Sequence, residues 1–306
     1  MRIAVTGGAG FIGSHVVDHL VDAGHGVVVV DPRRPHRPDV EQAVADLRDL
    51  DSLVAATEGC DAIFHLAAVS NVNDVFDSPV DAIDINVTGT TRVLEAARRN
   101  EVERVFFAST VWVYGSAVGD GDLGEDALID TQIPSHLYTA SKIAGELVIR
   151  SFEELYGVAF TILRYGVPFG PRMRDELVIP RFVQMALAGE TITVAGDGLQ
   201  FRNYVYVEDL AEAHVLALDP AARNEVFNVE GPEPISIRAM VEALEEVLGR
   251  PLPVEYGPAR PGDFRGRPVS GHKIGKVLDW TPRTSFETGL RRYVEWYAER
   301  ERADVG

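Results

Sequence analysis

The chain has 306 residues, 46% of them hydrophobic and 25% charged, and carries a net charge of −18. That length and balance suit a soluble globular protein with a substantial core, and the acidity argues against nucleic acid or anionic membranes as partners, since both need a basic footprint. No run approaches the roughly 18 apolar residues that span a bilayer. Met1-Arg-Ile-Ala-Val5 enters an apolar strand without a signal-peptide pattern, and Cys60 stands alone, which excludes an internal disulfide; a cytoplasmic location is expected.

Runs rich in valine and isoleucine at Arg2 to Thr6, Gly26 to Asp31, Ala62 to Leu66, Arg104 to Ala108 and Ala159 to Arg164 read as buried strands. Phe11 to Ala23, Asp81 to Asn100 and Ser135 to Tyr156 show helical spacing between them. Strand and helix in alternation predict an α/β fold, a Rossmann-type doubly wound parallel sheet. After about Gly166 the elements shorten and prolines multiply, with helices still expected at Val207 to Leu218 and Ser236 to Leu248. The expected division is a Rossmann domain over 1–165 and a smaller mixed α/β substrate lobe over 166–306, some of whose segments interleave with the first domain.

Between the first strand and helix lies Thr6-Gly7-Gly8-Ala9-Gly10-Phe11-Ile12-Gly13. Glycines at this spacing make a tight turn, let backbone approach a pyrophosphate and let the helix pack on the strand, with the helix N-terminus facing the anion. Asp31 closes the second strand at about the distance where an acidic residue accepts hydrogen bonds from the adenine ribose, which favours NAD over NADP. The following Arg33 and Arg34 offer an alternative, since an arginine there can hold a 2′-phosphate; otherwise they and Arg37 read as a solvated basic loop.

Tyr138 and Lys142 stand four residues apart on a predicted helix and so share one face. A tyrosine with an ordinary pKa of ~10 is a poor base, but an ammonium at ~6 Å with an effective dielectric of ~20 contributes ~2.8 kcal/mol, about two pKa units. Ser109 and Thr110 leave the carboxyl end of the Arg104 strand, where open α/β sheets bind ligands. Thr110 is placed to hydrogen-bond a substrate oxygen that Tyr138 deprotonates. His65, at a strand end, reads as a packed and satisfied residue, Cys60 as inert, and no spacing suggests a metal site.

These motifs, with Asp46-Leu47, His65-Leu-Ala-Ala68, Asn86-Val-Thr-Gly-Thr90, Leu163-Arg-Tyr165, Gly170-Pro-Arg172, Gly196-Asp-Gly198, Arg202, Tyr206 to Asp209, Asn228 and Arg260-Pro-Gly-Asp263, run in order along nearly the whole chain. In them the chain resembles the extended short-chain dehydrogenase/reductases, specifically the NAD-dependent nucleotide-sugar epimerase/dehydratase family. The resemblance implies a cofactor site of Gly7, Gly10, Phe11, Ile12, Gly13, Asp31, Asp46, Leu47, Leu66, Ala67, Ala68, Asn86, Ser109, Tyr138, Lys142 and Tyr165. It implies Thr110, Tyr138 and Lys142 as the catalytic group, and Thr110, Val167, Arg174, Arg202, Arg260 and Asp263 on the substrate, with Arg202 and Arg260 on its diphosphate. It also implies a homodimer built on the helices 81–100 and 135–156.

Family dehydratases usually carry Asp-Glu directly after the catalytic threonine, and uronate decarboxylases a glutamate in the second place. Here Val111 and Trp112 stand there and transfer no protons. The resemblance therefore implies 4-epimerisation of a nucleotide sugar, of the UDP-glucose/UDP-galactose type: oxidation at C4, rotation of the ketose and return of the hydride. Val167 stands where many relatives have an asparagine that aids sugar-phosphate binding, and Arg267 where family epimerases often have a size-gating residue; the position of Arg174 or Arg267 suits a carboxylate, so an acidic sugar such as UDP-glucuronate is the alternative. A nucleotide-sugar reductase or dehydratase and a non-catalytic dinucleotide-binding protein are the remaining readings.

Overall fold

The computed structural model describes residues 1–116, 123–130, 136–259 and 268–305. Arg260, Asp263, Arg267 and Ser135 lie outside the described residues.

The N-terminal half alternates as expected: β1 (Arg2–Thr6), α1 (Phe11–Asp22), β2 (Gly26–Val30), β3 (Glu41–Ala43), α2 (Leu50–Ala56), β4 (Ala62–His65), α3 (Val72–Asp77), α4 (Pro79–Ile83), α5 (Gly89–Arg99), β5 (Arg104–Thr110), α6 (Leu137–Tyr156) and β6 (Ala159–Tyr165). The remainder forms β7 (Val167–Phe169), α7 (Val178–Ala188), β8 (Ile192–Ala195), β9 (Phe201–Tyr206), α8 (Val207–Leu216), β10 (Glu225–Val229), β11 (Pro234–Ser236), α9 (Ile237–Leu248), β12 (Val254–Gly257), α10 (His272–Leu278) and α11 (Phe286–Val305). Seven strands pair in parallel in the order β10-β6-β5-β4-β1-β2-β3, which is a Rossmann-type doubly wound sheet. The strand order reverses at β1, so β1 and its neighbours β2 and β4 open a crevice at their carboxyl ends.

Alternation along the strands explains the two cores. Ile3, Val5, Phe64 and Phe106 face α1 and α8, where they meet Val16, Leu20, Leu210 and Ala213. Ala4, Ile63, Val105 and Phe107 face the other way, onto Leu53 of α2, Val93 and Leu94 of α5 and Ile149 of α6. Both faces are covered, which is why these strands read as continuous apolar runs. Each fully buried aliphatic side chain contributes about 1.5–3 kcal/mol. A third core joins Phe169, Phe182, Tyr204, Met240, Leu244, Phe286 and Tyr293 around the small sheets β11-β9-β7 and β12-β8.

One feature departs from the reading of the sequence, and a second is a strand that the reading did not name within the interleaved segments. The predicted helix 81–100 is three pieces: α4, a π-helical turn Asp84–Thr88 and α5. The edge strand β10 arises from the second half of the chain and pairs with β6, from Glu225 against Thr161 to Val229 against Tyr165. Among the described residues no helix is long and apolar enough to cross a membrane.

Candidate active site

A cavity of about 930 Å³ lies at the carboxyl ends of β1, β2 and β4. It is lined by Gly7, Gly10, Phe11, Ile12 and Gly13 from the glycine turn, Asp31 and Arg33 after β2, Asp46, Leu47 and Arg48 after β3, Leu66, Ala67 and Ala68 after β4, and Arg172 and Arg174 from beyond β7. Four arginines facing three aspartates, the third being Asp49, gather basic charge locally in an acidic chain.

The turn is built as a dinucleotide needs. Gly7 has φ +72°, and a Cβ there would stand 2.8 Å from the Ala67 nitrogen. A Cβ on Gly13 would stand 2.1 Å from the Gly7 carbonyl oxygen, so only glycine lets α1 start this close to the turn. These contacts, and the N-terminus of α1 behind them, fit a pyrophosphate. The Asp31 carboxylate is 3% exposed and accepts from the Ala9 nitrogen at 3.2 Å and the Arg33 nitrogen at 2.9 Å.

Strand β4 is pinned behind the turn. The Thr6 hydroxyl lies 2.8 Å from His65 Nδ1, and His65 Nε2 lies 3.0 Å from Thr90 Oγ1, whose own proton goes to the Asn86 carbonyl at 2.7 Å. That donor chain requires the neutral Nε2-protonated ring, and burial with the nearby Lys142 pushes His65 down to about 3. His65 is thus a structural residue, packed and satisfied. Asn86, in the π-helical turn, does not line the cavity. Its amide accepts from Val69 N at 2.8 Å and donates to Val69 O at 2.9 Å and to Ser141 Oγ at 3.1 Å, so it ties the loop after β4 to α6.

Tyr138 and Lys142 share a face of α6, as their spacing requires, and the Lys142 nitrogen lies 5.9 Å from the Tyr138 ring centre. Gly145 permits this approach: a Cβ there would meet the Phe107 ring at 2.8 Å, so α6 packs directly on β5. The electrostatics differ from the sum made on the sequence. Burial pushes Tyr138 up to about 12, and the charge that pulls it down is that of Arg174 rather than Lys142. Lys142 donates to the Ala108 carbonyl at 2.8 Å, lies over the Phe107 ring, and is itself pushed down to about 8 by burial, against the pull of Glu146. For both groups desolvation outweighs the attraction of the neighbouring charge.

Thr110 is 7% exposed at the end of β5, beside Tyr165 in register, and its oxygen accepts from Trp112 N at 3.2 Å, leaving its proton for a ligand. Ser109 turns away, donating to Glu146 Oε1 at 2.5 Å. The Tyr165 hydroxyl lies 2.6 Å from His214. Val167 is half-buried on β7, and Arg202 on β9 donates to the Phe201 carbonyl at 2.7 Å; neither lines the cavity.

Glu146 was not singled out in the sequence. It forms a buried pair with Arg164, Nη2 to Oε2 at 2.7 Å, and Arg164 donates to the Tyr114 hydroxyl, which donates to Asn228. Tyr138, Lys142 and Glu146 recur at i, i+4 and i+8, a stripe that marks Glu146 once the first two are suspected.

A parallel sheet with a glycine turn at its switch point, an acidic residue after β2 and a basic crevice define a dinucleotide-binding α/β protein. Residues 3–229 match the model of the NAD dependent epimerase/dehydratase family, and the chain belongs to that family. It is 34% identical to the UDP-glucose 4-epimerase of Mycolicibacterium smegmatis, over 98% of this chain and 99% of that one. It is 31% identical to dTDP-glucose 4,6-dehydratase 1 of Escherichia coli, over 97% and 92% of the two chains. The fold matches the UDP-glucose 4-epimerase of Thermotoga maritima solved with UDP-glucose, at TM-score 0.91 and 31% identity over 98% of this chain and 100% of that one. Epimerisation and dehydration thus occur among relatives of comparable identity.

Proposed function

We propose that the protein is a nucleotide-sugar 4-epimerase, with UDP-glucose and UDP-galactose as its substrate pair and NAD held in the glycine cradle. The observation that carries the reaction type is the neighbourhood of Tyr138. The residues that follow Thr110 are Val111 and Trp112, the Trp112 ring meets Tyr138 edge-on at 6.2 Å, and among the described residues the charge acting on Tyr138 is that of Arg174. Among the described residues, no second proton carrier stands at the two positions after Thr110, where elimination of water would need one.

When bound, NAD supplies the hydride acceptor for C4, positively charged in its oxidised form, and the donor for the return. The residues of the chain hold and move the proton. Tyr138, as phenolate, takes the proton of the sugar 4-hydroxyl, and Thr110 donates to the same oxygen with the proton that Trp112 leaves free. While the oxygen is a carbonyl, Tyr138 and Thr110 are both donors to it and hold it in place. Once the sugar presents its other face, Tyr138 returns the proton to the same oxygen. Arg174 supplies the charge that favours the phenolate, and Lys142 is held on the same helix face by the Ala108 carbonyl. Arg202 and Arg260 are proposed to take the diphosphate, since guanidinium forks suit its oxygens, and Asp263 the nucleoside ribose.

A second reading of the substrate rests on Arg174. It lines the cavity, acts on Tyr138 and makes no ion pair among the described residues, which suits a carboxylate on an acidic sugar such as UDP-glucuronate. Incubation with UDP-glucose, UDP-galactose and UDP-glucuronate, followed by NMR, tests both. A 4-epimer of the neutral sugar is expected. Preference for the uronate, lost in Arg174→Ala, selects the second reading, and accumulation of a 4-keto sugar contradicts both.

A further inference from the structure

The Asp31 carboxylate is saturated before any ribose reaches it. Oδ1 accepts from the Arg33 backbone nitrogen at 2.9 Å and from Arg33 Nε at 3.2 Å; Oδ2 accepts from Ala9 N and from Arg33 Nη2, each at 3.2 Å. Four donors on two oxygens use about all the lone-pair positions a carboxylate offers. Two of them are backbone and fixed. The other two belong to a guanidinium whose side chain is 67% exposed, while Asp31 is 3% exposed. That guanidinium also overhangs the glycine turn, with Nη2 3.4 Å from where a Cβ on Gly10 would be. The loop beneath it is braced by Gln42, whose side chain donates to the Asp31 and Arg33 carbonyls at 3.1 and 2.8 Å.

An acidic residue at this place selects against NADP because its charge repels a 2′-phosphate and its oxygens want the 2′-hydroxyl. Here the charge is already neutralised, and its counter-charge is exposed and lines the cavity. We infer that Arg33 makes this cradle accept NADP as well as NAD. With NAD, the ribose hydroxyls replace the two guanidinium donors on Asp31 and Arg33 turns outward. With NADP, the guanidinium leaves one carboxylate oxygen and takes the 2′-phosphate, for which its planar fork is suited, while Asp31 keeps its backbone donors. Exposure of the Arg33 stem makes either movement inexpensive, and His36, which also lines the cavity, adds a donor on the same side.

The inference rests on reading this cavity as the cofactor site, and one experiment separates the two. The full-length protein is equilibrated with an equimolar mixture of NAD and NADP, freed of unbound nucleotide and denatured, and the released dinucleotides are quantified by chromatography. Wild-type protein is expected to release both. Arg33→Ala is expected to lower the NADP:NAD ratio about tenfold or more, through loss of charge-assisted hydrogen bonds and return of the bare Asp31 charge. Arg33→Lys, which keeps the charge without the fork, is expected to recover part of the ratio. An unchanged ratio in Arg33→Ala, or wild-type protein that releases NAD alone, overturns the inference and leaves the cofactor site standing. Release of neither dinucleotide overturns the cofactor site itself.

Discussion

In the proposed reaction Tyr138 is the residue on which the chemistry turns; burial pushes it up to about 12, against the charge of Arg174. Removing the hydroxyl in Tyr138→Phe is expected to lower kcat by about 10²–10⁴, the usual share of a positioned acid/base, while Tm and dinucleotide content stay unchanged. Steady-state rates on the purified variant check this. A second buried acid behaves differently. Glu230, 4% exposed, follows β10 with Asn203 as a polar neighbour, and among the described residues neither of its oxygens makes a hydrogen bond of good geometry. Burial pushes Glu230 up to about 8, so it is neutral in the fold at neutral pH. Since the unfolded chain ionises near 4.5, the stability of the neutral form is complete below that pH and is lost as pH rises towards about 8, by on the order of a few kcal/mol. Glu230→Gln is therefore expected to raise Tm at pH 8.5 and to change it little at pH 4.5, a comparison that thermal melting settles. Nothing in the sequence marks Glu230, because its burial comes from Gly166 and β9, remote in the chain.

At the scale of elements, the glycine turn and α1 were legible because their requirements are local: four glycines, a strand before and a helix after. Gly13→Ala would set a Cβ 2.1 Å from the Gly7 carbonyl oxygen. It is expected to push α1 off the turn, lowering Tm and emptying the protein of dinucleotide, as melting curves and nucleotide release would show. By contrast the clamp between α1 and α8 was invisible, since its members are some 190 residues apart. Glu208 accepts from His15 Nδ1 and His19 Nε2, each at 2.7 Å, and His15 Nε2 reaches the Pro171 carbonyl at 2.9 Å, beside Arg172, whose guanidinium pairs with Asp18 of α1. Hydrogen bonds from His15 and His19 hold Glu208 far below the usual carboxylate range, and Glu208, aided by Asp22 and Glu212, raises His19. The Glu208 share is present above about pH 4.5 and lost as pH falls through its depressed value; the His19 share is whole below about 6.5 and lost as pH rises through its raised value. Glu208→Gln should therefore cost most near pH 6 and progressively less towards pH 9. A Tm penalty that grows with alkalinity would contradict the clamp. The same non-local pairing hid β10, a five-residue run with Asn228 inside it that becomes a strand only against β6.

For the whole molecule, the carboxyl ends of β1, β2 and β4 gather the turn, Asp31 and Ala67 around the cavity, while Thr110, Tyr138 and Lys142 stand together at the end of β5, where Lys142 donates to the Ala108 carbonyl, and are not among the residues that line it. The sequence showed these residues because each sits at a strand end or on one helix face; it did not show that Lys142 would point at Ala108 or that Arg33 would cover Asp31. The far face of α6 leaves Leu147, Leu155 and Tyr156 at 59%, 69% and 54% exposure, with Phe76 and Val80 at 81% on the adjoining α3 and α4. An apolar surface of this kind fits a homodimer through these helices. Light scattering is expected to give twice the chain mass, falling towards the monomer in Leu147→Asp with Leu155→Asp. The central claim is that one base opens and closes a reversible oxidation at C4, and the fate of the hydrogen on that carbon tests it most directly. UDP-glucose carrying deuterium at C4, incubated in ordinary water without added cofactor, should yield UDP-galactose that retains the label at C4. A product that has lost the deuterium to solvent, or a labelled substrate that ends as a 4-keto-6-deoxy sugar, would contradict it.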